Sequence, residues 1–341
     1  MRYLFLCLLA ACGLACGQPV SVAVTASAGL QPAQLAVVIN DADPNSVEVG
    51  EYYRLARQIP PQNMLHVRIP GQPRRLTAAQ FAPLRQQMLA GLGPQVRAVL
   101  MLWTAPYAVE CNSITTALTL GYDAQACTPG CHPSKVNPYF NGAPALPEGA
   151  SGQPVLSMLL PTDSVALAKA VIDRGVASGF RTPVASAYYL ITSDGARASR
   201  VPLYPRAGPI PARKLTVQIE HIDALDGAAD IMVYETGQIR VAKLDTLHFL
   251  PGALADHLTS TGGDLLSNVQ MSSLRWLEAG ATASYGTVSE PCNFWQKFPH
   301  PTVLLAHYLA GDSAIEAYWK SVQWPAQGLF IGEPLAAPYR H

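Results

Sequence analysis

The chain is organised around the stretch Gly280-Ala-Thr-Ala-Ser-Tyr-Gly-Thr-Val-Ser-Glu-Pro-Cys-Asn293. Residues 281–288 are mostly apolar or small, which predicts a buried strand that another backbone can approach closely. Residues 289–293 then form the loop at the carboxyl end of this strand, where open α/β sheets place their binding sites. Because this loop contains Glu290 and Cys292, it is a candidate functional site.

The first half of the chain alternates strand and helix signals. Strands are predicted at 35–39, 64–69 and 96–109. Between them, apolar residues recur at helical spacing from Val47 to Ile59, and Thr77 with Gln80 forms a capping box that opens a second helix. This order, with short connections, predicts a parallel sheet with right-handed crossovers.

The second half continues in the same manner. Strands are predicted at 155–160, 186–192, 229–234, 281–288 and 329–331, with one more near 265–270. Helices are predicted at 164–178, 215–225, 251–258, 274–277 and 303–309, with a last one after Asp312. The predicted fold class is therefore α/β with a mostly parallel, doubly wound sheet, in which an amino-terminal half, 35–154, packs as one unit with a carboxyl-terminal half, 155–341.

Two connections stand out by their composition. Residues 112–154 are rich in proline and glycine and contain two cysteines, which predicts a long surface loop closed by disulfides. Residues 194–214 are basic and contain prolines, which predicts a connection that runs over the surface.

The overall composition bounds the class of protein. The chain has 341 residues, of which 49% are hydrophobic and 13% charged, enough to bury a large core. The 23 basic and 23 acidic residues cancel, and neither sign forms a long block. We therefore expect no nucleic-acid partner and no electrostatic attraction to an anionic membrane surface.

The amino terminus resembles a secretory signal peptide. Residues 1–17 contain one early cation, Arg2, then an apolar run and small residues before Gln18. The apolar run is shorter than the ~20 residues of a membrane span, and no second stretch of spanning length follows. We expect an exported protein, periplasmic or secreted, with an exposed lead-in at 18–34. An alternative is a lipid anchor on Cys12, because Leu9-Ala-Ala-Cys12 resembles a lipobox.

Four cysteines remain if the leader is removed: Cys111, Cys127, Cys131 and Cys292. An even number in an exported chain favours disulfides. Cys127 and Cys131 flank a Pro-Gly turn and are predicted to pair, which leaves Cys111 for Cys292. The competing interpretations are a zinc site, for which the spacing is poor, and a free catalytic thiol.

Cys292 as a nucleophile would need a base, and His257 or His300 would supply it, with Glu290 close by. His257 follows Asp256 and is predicted on a short helix, so it could equally be a surface or capping residue. At the first strand end, Asn40, Asp41 and Asp43 offer oxygen ligands for a divalent cation, or an Asx-rich turn that caps the next helix. We favour the cap and expect no metal.

Several polar side chains fall at predicted strand ends, where they would line one binding crevice. These residues are Asp41, Tyr107, Glu110, Glu235 and Glu333. Together with Glu290, the glutamates offer acid or base roles, or they bond the backbone amides of neighbouring loops. Loop aromatics, among them Tyr122, Tyr139, Phe140, Phe294 and Trp295, would form a platform for peptide or glycan or bury the loops. The chain shows no nucleophile elbow, P-loop or dinucleotide motif in the required context, so we expect no cofactor.

Two stretches of the chain resemble an uncharacterised family of exported bacterial proteins. They are Leu274-Arg-Trp-Leu-Glu-Ala-Gly-Ala-Thr-Ala-Ser-Tyr-Gly-Thr-Val-Ser-Glu-Pro-Cys292 and Ile331-Gly-Glu-Pro-Leu335. That family occurs in genomes with the exosortase and PEP-CTERM sorting system. More loosely, the helix, the Gly-Ala-x-Ala-x-x-Gly strand and the terminal Gly-Glu-Pro-Leu are similar to gingipain-like cysteine peptidases. This second resemblance implies a caspase-like sheet in the second half.

The gingipain resemblance also implies a His-Gly at the end of one central strand and a nucleophilic cysteine at the end of the next. Here the first strand ends Tyr234-Glu-Thr-Gly237, and the second, predicted near 265–270, ends without a cysteine. Peptidase activity therefore does not carry over. The expected function is an exported, non-catalytic accessory or binding protein linked to exosortase-type surface proteins or polysaccharide. The alternative is a divergent hydrolase that uses Cys292.

Overall fold

An eleven-stranded sheet forms the centre of the protein, and helices cover both of its faces. The structure is a computed structural model and describes residues 29–142, 155–179, 181 and 183–340. Its strands are β1 (Leu35–Asn40), β2 (Met64–Val67), β3 (Arg75–Leu76), β4 (Ala98–Leu102), β5 (Ala108–Val109), β6 (Asn112–Ser113), β7 (Leu156–Leu160), β8 (Ala185–Leu190), β9 (Gly208–Ile210), β10 (Leu215–Glu220), β11 (Ile231–Gly237), β12 (Phe249–Leu258), β13 (Ala283–Thr287) and β14 (Gly328–Gly332). Its α-helices are α1 (Pro44–Arg57), α2 (Ala78–Ala90), α3 (Ile114–Leu120), α4 (Val165–Ser178), α5 (Leu274–Ala279), α6 (Pro301–Leu309) and α7 (Ala314–Ser321).

The strand order of the large sheet is β2-β1-β4-β7-β14-β13-β12-β11-β8-β10-β9, and β3, β5 and β6 form a small second sheet. Neighbouring strands from β2 to β14 are parallel, and so are those from β13 to β10. The β13–β14 pair is antiparallel, as is the edge pair β9–β10. The sheet is thus two parallel blocks that run in opposite directions and meet at β13 and β14, which confirms the predicted α/β class.

Strand register shows that the helices lie on both faces. A Cβ on Gly50 of α1 would touch Ile39 and Leu102, so these side chains face α1. Leu102 pairs with Leu160 of β7. Side chains alternate along a strand, so Ser157, three residues before Leu160, points to the other face, where its Oγ donates to the Thr115 carbonyl of α3. The sheet is therefore doubly wound, as predicted.

Several predicted elements are confirmed and others are wrong. The predicted strands of the first half match β1, β2 and β4, and Thr77 caps α2 in a capping box with Gln80. Residues 215–225 are not helical, because Leu215–Glu220 pairs with β8 as strand β10. Residues 251–258 are not helical either and belong to the central strand β12. No regular element is found at 265–270, which form turns among the described residues.

The two predicted surface connections also contain buried parts. Residues 114–119 form most of helix α3 and are buried against β7 and β14, so the surface loop predicted from residue 112 begins only after this helix. Arg200, in the predicted surface connection 194–214, is buried in the core. The last helix is capped by Ser313 and not by Asp312.

Some predictions fall outside the described residues. These are the leader at 1–17, the Cys12 lipidation site, most of the lead-in at 18–34 and residues 143–154 of the long loop. In the part of the chain that the structure does describe, no helix has both the length and the apolar character to cross a bilayer.

Candidate functional site

The residues predicted to share one crevice lie on opposite sides of the sheet along the strand direction, because the two blocks of parallel strands end on opposite sides. The block containing β1 and β14 ends at one edge, near Asp41 and Glu333, whereas the block containing β11 and β13 ends at the other, near Glu235 and Glu290. The antiparallel β13–β14 pair causes this separation. Strand signals alone carry no direction, so the sequence could not reveal it.

Three of the predicted carboxylates have local partners of their own. Glu333 accepts hydrogen bonds from Tyr53 Oη at 2.6 Å and from Arg57 Nε at 3.0 Å. Glu290 Oε1 accepts from the backbone N–H of Cys292 at 2.8 Å, and Glu110 Oε1 accepts from the N–H of Ala78 at 3.1 Å. Glu290 and Glu110 thus follow the alternative in which the glutamates bond backbone amides, whereas Glu333 bonds side chains of helix α1.

The polar turn after β1 caps helix α1. Asp43 accepts from the N–H of Asn45 at 3.1 Å, and Asn40 bonds the N–H and carbonyl of Ile69. Asp41 is exposed and lies 2.7 Å from His66 Nδ1. Among the described residues, no group of three or more potential ligands is arranged to hold a metal ion.

All four cysteines form disulfides, but the predicted pairing is wrong. The bonds are Cys111–Cys127 and Cys131–Cys292, with Cα–Cα distances of 5.4 and 5.7 Å. Cys111 does lie beside the loop after β13, because Ser289 Oγ donates to its carbonyl at 2.6 Å. The chain after α3 turns back on itself, which brings Cys127 to Cys111 and leaves Cys131 to reach Cys292. The Cys292 sulfur is therefore bonded and is not available as a nucleophile in this structure.

His257 lies on β12 with both ring nitrogens occupied. Trp276 Nε1–H donates to Nδ1 at 2.9 Å, so the proton must be on Nε2, which donates to the Met271 carbonyl at 3.1 Å. Burial lowers the pKa of His257 to about 3. The ring is thus a neutral core residue that fastens residues 271–276 to the sheet, and neither nitrogen is free to act as a base. Burial likewise lowers the pKa of His300 to about 4.

The opposite face of the same strands holds a buried ionic cluster, which we call the Arg200 cluster: Arg200, Glu235 and Asp256. Glu235 and Asp256 are register partners on β11 and β12. Arg200 Nη1 lies 3.1 Å from Glu235 Oε2 and 2.6 Å from Asp256 Oδ1. Its Nη2 donates to the carbonyl of Thr236 at 2.9 Å, so one buried guanidinium contacts two carboxyls and a backbone carbonyl of β11.

The Arg200 cluster keeps unpaired polar atoms although it is fully buried. Glu235 Oε1, Asp256 Oδ2 and Arg200 Nε have no hydrogen-bond partner in the described part of the chain. Burial raises the pKa of Glu235 well above its ordinary value and also raises that of Asp256, against the opposing effect of Arg200.

The turn that follows β12 lies directly on β13. A Cβ on Gly286 would come within 2.4 Å of the Gly262 backbone, and one on Gly263 within 2.5 Å of the Gly286 carbonyl oxygen. Thr287 Oγ1 donates to the carbonyl of Ser260 at 2.9 Å. The close approach predicted for the small residues of 281–288 is therefore present, and its partner is the backbone of this turn.

A groove opens on the His257 side of the sheet, between the connection that follows β11 and the connection that follows β12. It has a volume of about 570 Å³, within the range of ligand sites, and lies between residues 240–245 and residues 265–278. Its apolar lining consists of Val241, Leu244, Leu265, Met271 and Leu274. Three cations, Arg240, Lys243 and Arg275, and two carboxylates, Asp245 and Glu278, complete the charged part of the lining.

Contacts from β12 hold one wall of this groove. The carbonyl of Met271 accepts from His257, and Gln270 Oε1 accepts from Thr259 Oγ1 at 2.7 Å. Arg240 bonds the carbonyls of Asn268 and Val269 across the groove. Beside it, the apolar side chain of Val269 is 75% exposed. Sequence reasoning missed the groove because residues 251–258 and 265–270 were assigned to the wrong elements.

Comparison with known proteins gives little more than a distant likeness. No protein-family model and no curated protein matches the chain. Among solved structures, the chain is similar to one in the complex of the Porphyromonas gingivalis RgpB pro- and mature domains, at 9% identity and a TM-score of 0.41. The match covers 89% of this chain and 79% of that one. No residue role is transferred from it.

Proposed function

We propose that the protein is an exported, non-catalytic binding protein that holds a polypeptide segment of another envelope or secreted protein in the groove between the connections that follow β11 and β12. The observation that carries this proposal is the groove itself, with its apolar floor and with Arg240 among the charged residues of its rim. Its lining comes from the connections that follow two parallel strands, and such connections often carry the ligand site in an open α/β sheet.

The chemistry of the groove favours an apolar segment flanked by carboxylates. The lining carries three cations and two carboxylates, of which Arg275 is paired with Glu278, and Lys243 is paired with Asp226 outside the lining. Arg240 donates to the neutral carbonyls of Asn268 and Val269, and within the described part of the chain it forms no ion pair, so its charge is the one open to a carboxylate of a ligand. Exposed Ile239, Leu266 and Val269 extend the apolar surface beside the lining.

A polypeptide ligand fits this lining better than a glycan. None of the fourteen described residues that line the groove is aromatic, so a sugar ring would find no aromatic face to stack on. Among the loop aromatics that formed the predicted platform, Tyr107 and Tyr139 are buried in the core. Both facts weaken the polysaccharide version of the expected function.

Export is supported by the cysteines. The four cysteines outside the leader are all paired in disulfides, which persist in oxidising compartments. The signal-like residues 1–17 and the lipobox-like Cys12 add a periplasmic or secreted location, or a lipid anchor, to the proposal. The link to exosortase-type surface proteins rests on the resemblance of residues 274–292 and 331–335 alone.

The alternative of a hydrolase that uses Cys292 gains no support from the site. The sulfur of Cys292 is bonded to Cys131, and the two histidines offered as bases have contacts elsewhere. His257 bonds Trp276, and the ring of His300 packs on Trp295 at 5.4 Å.

Fluorescence polarisation with labelled peptides tests the groove. Three probes are needed: a peptide that alternates leucine with glutamate, the same peptide with lysine for glutamate, and a scrambled acidic peptide without leucine. The first probe should bind the mature protein, and the other two should bind at least tenfold more weakly. Arg275→Glu should weaken binding of the first probe about tenfold, because it reverses a rim charge whose side chain is 59% exposed and bonded only to Glu278.

The matched control is Arg68→Glu, which makes the same charge change at an exposed arginine in the other half of the sheet. It should leave binding unchanged. Equal binding of the acidic and basic probes, or equal loss in both variants, would contradict the proposal. Failure of the wild-type protein to bind any of the three peptides would do the same.

A further inference from the structure

The Arg200 cluster places two carboxyls on one cationic nitrogen. Glu235 Oε2 and Asp256 Oδ1 both contact Nη1 of Arg200, and all three side chains are at most 2% exposed. Two ionised carboxylates would leave one negative charge without a counter-charge in a region from which water is excluded. Burying such a charge costs free energy, and this cost is avoided if one of the two carboxyls stays protonated.

In the part of the chain that the structure describes, the other titratable groups that face the pair are four tyrosines and one histidine, and none of them supplies a second cation. They are Tyr189 on β8, Tyr204 in the connection after β8, Tyr285 on β13, Tyr318 on α7 and His300 before α6. Burial keeps His300 neutral by lowering its pKa to about 4. The phenol of Tyr189, the register partner of Glu235, has no hydrogen-bond partner in the residues that the structure describes.

Arg200 is also the anchor of the segment that covers this face. Residues 194–204, here called the Arg200 segment, follow β8 and cross the carboxyl ends of β11 and β12. Arg200 bonds the carbonyls of Thr236 and Pro299, and Arg197 Nε donates to Thr259 Oγ1 at 3.1 Å. Because both carboxyls are buried beneath the segment, water can reach a second ionised carboxylate only when the segment lifts from the sheet.

We propose that Glu235 and Asp256 share one proton in the folded protein, and that its loss at alkaline pH releases the Arg200 segment from the sheet. The proton resides mainly on Glu235, because Asp256 lies closer to the guanidinium and is the stronger acid. On release the proton goes to solvent, Arg200 keeps its charge, and both carboxylates become ionised. The proposal involves no residue that lines the groove and stands independently of the peptide site.

The direction of the pH effect follows from the raised pKa of Glu235. The unfolded chain loses this proton near the ordinary glutamate value, whereas the folded protein keeps it to higher pH. Stability from the cluster is therefore complete at acid pH and falls as pH rises toward the folded-state pKa. In that window the unfolding equilibrium constant should increase about tenfold per pH unit from this site.

Three variants and two measurements test the proposal. Chemical denaturation of the wild type, Glu235→Gln and Asp256→Asn is followed from pH 6 upward. In both variants the tenfold rise of the unfolding equilibrium constant per pH unit should disappear, because each variant keeps one carboxylate beside one guanidinium. Hydrogen exchange, corrected for the intrinsic effect of pH, should show the Arg200 segment opening with pH only in the wild type. Glu48→Gln, at an exposed carboxylate on α1, is the control and should behave as the wild type.

Infrared spectroscopy of the wild type provides a readout that needs no variant to fold. A protonated-carboxyl carbonyl band should be present at pH 7 and disappear as pH rises, and it should be absent from Glu235→Gln. Absence of this band from the wild type at pH 7 would overturn the proposal. So would a Glu235→Gln or Asp256→Asn protein whose unfolding keeps the wild-type dependence on pH.

Discussion

Arg57 Nη2 lies 2.5 Å from Oε2 of Glu333, and this ion pair joins helix α1 to the end of β14. Tyr53 Oη adds a hydrogen bond of 2.6 Å to the other carboxylate oxygen. The partners are 276 residues apart in sequence, so the pair links the start of the chain to its end. Unlike the carboxyls of the Arg200 cluster, Glu333 has a donor for each of its oxygens.

Glu333→Gln should therefore destabilise the fold by about 2–4 kcal/mol, because it leaves the Arg57 guanidinium without its counter-charge in a largely buried site. Urea denaturation at neutral pH measures the change. Glu51→Gln, which breaks an exposed ion pair with Arg54 on the same helix, is the control and should leave the midpoint unchanged. A midpoint shift no larger than that of the control would contradict this account of Glu333.

The two disulfides should differ in their effect on stability. The Cys131–Cys292 bond spans 161 residues and the Cys111–Cys127 bond spans 16. In the chain-entropy model the long loop contributes about 5 kcal/mol and the short one about 3 kcal/mol. Replacing both cysteines of a pair by serine, one pair at a time, should therefore lower the denaturation midpoint more for the long loop.

Peptide mapping without reduction checks the connectivity on the same material. It should recover Cys111 linked to Cys127 and Cys131 linked to Cys292, with no thiol open to alkylation. A labelled Cys292 in the mature wild-type protein would show that the long bond is not formed, and it would reopen the thiol interpretation of that residue.

Gly286→Ala should destabilise the protein by at least 2 kcal/mol. The new methyl group would lie 2.4 Å from the carbonyl carbon of Gly262, and backbone cannot move aside as a flexible side chain can. Thermal unfolding gives the comparison, with Gly195→Ala as the control because a Cβ there meets nothing within 4 Å. Similar melting temperatures for the two variants would show that the turn after β12 does not press on β13 as described.

The sequence predicts those elements whose pattern is set by burial on both faces. Residues 35–39 of β1 and the whole of β4 form continuous apolar runs because helices cover both sides of these strands. Strand β10 also carried a signal, since Leu215, Val217 and Ile219 alternate with polar residues at the period of a strand. The helical interpretation of residues 215–225 ignored that alternation.

The site was less predictable, because its contacts are made between distant parts of the chain. Asp256 and His257 are consecutive polar residues in β12, and each is buried on a different face of the sheet. The partner of Asp256, Arg200, is in a segment of ordinary basic composition, and the partner of His257, Trp276, is on helix α5, 19 residues further along the chain. The pairing that makes polar residues acceptable in a core strand is therefore visible only in three dimensions. The opposite directions of the two sheet blocks cannot be predicted either, because the sequence pattern of a strand does not give its direction in the sheet.

His257 provides a test in the acid range. Its folded-state pKa is lowered to about 3, whereas an unfolded histidine titrates near 6.5, so the unfolded chain alone takes up this proton as pH falls below about 6.5. Stability that depends on the neutral ring is complete above that value and is lost progressively toward pH 3. His257→Gln should cost about 1–3 kcal/mol at pH 7.5, because the bonds to Trp276 and Met271 are disturbed in a buried site.

Because glutamine does not titrate, the stability gap between wild type and His257→Gln should narrow between pH 7.5 and pH 4.5. Urea denaturation at the two pH values measures the gap, and contributions from His300 and the carboxylates cancel in the difference. The same substitution at the exposed His248 controls for the chemistry of the replacement. A gap that stays constant, or widens, as pH falls would mean that His257 accepts a proton in the folded protein, and its interpretation as a neutral core residue would then be wrong.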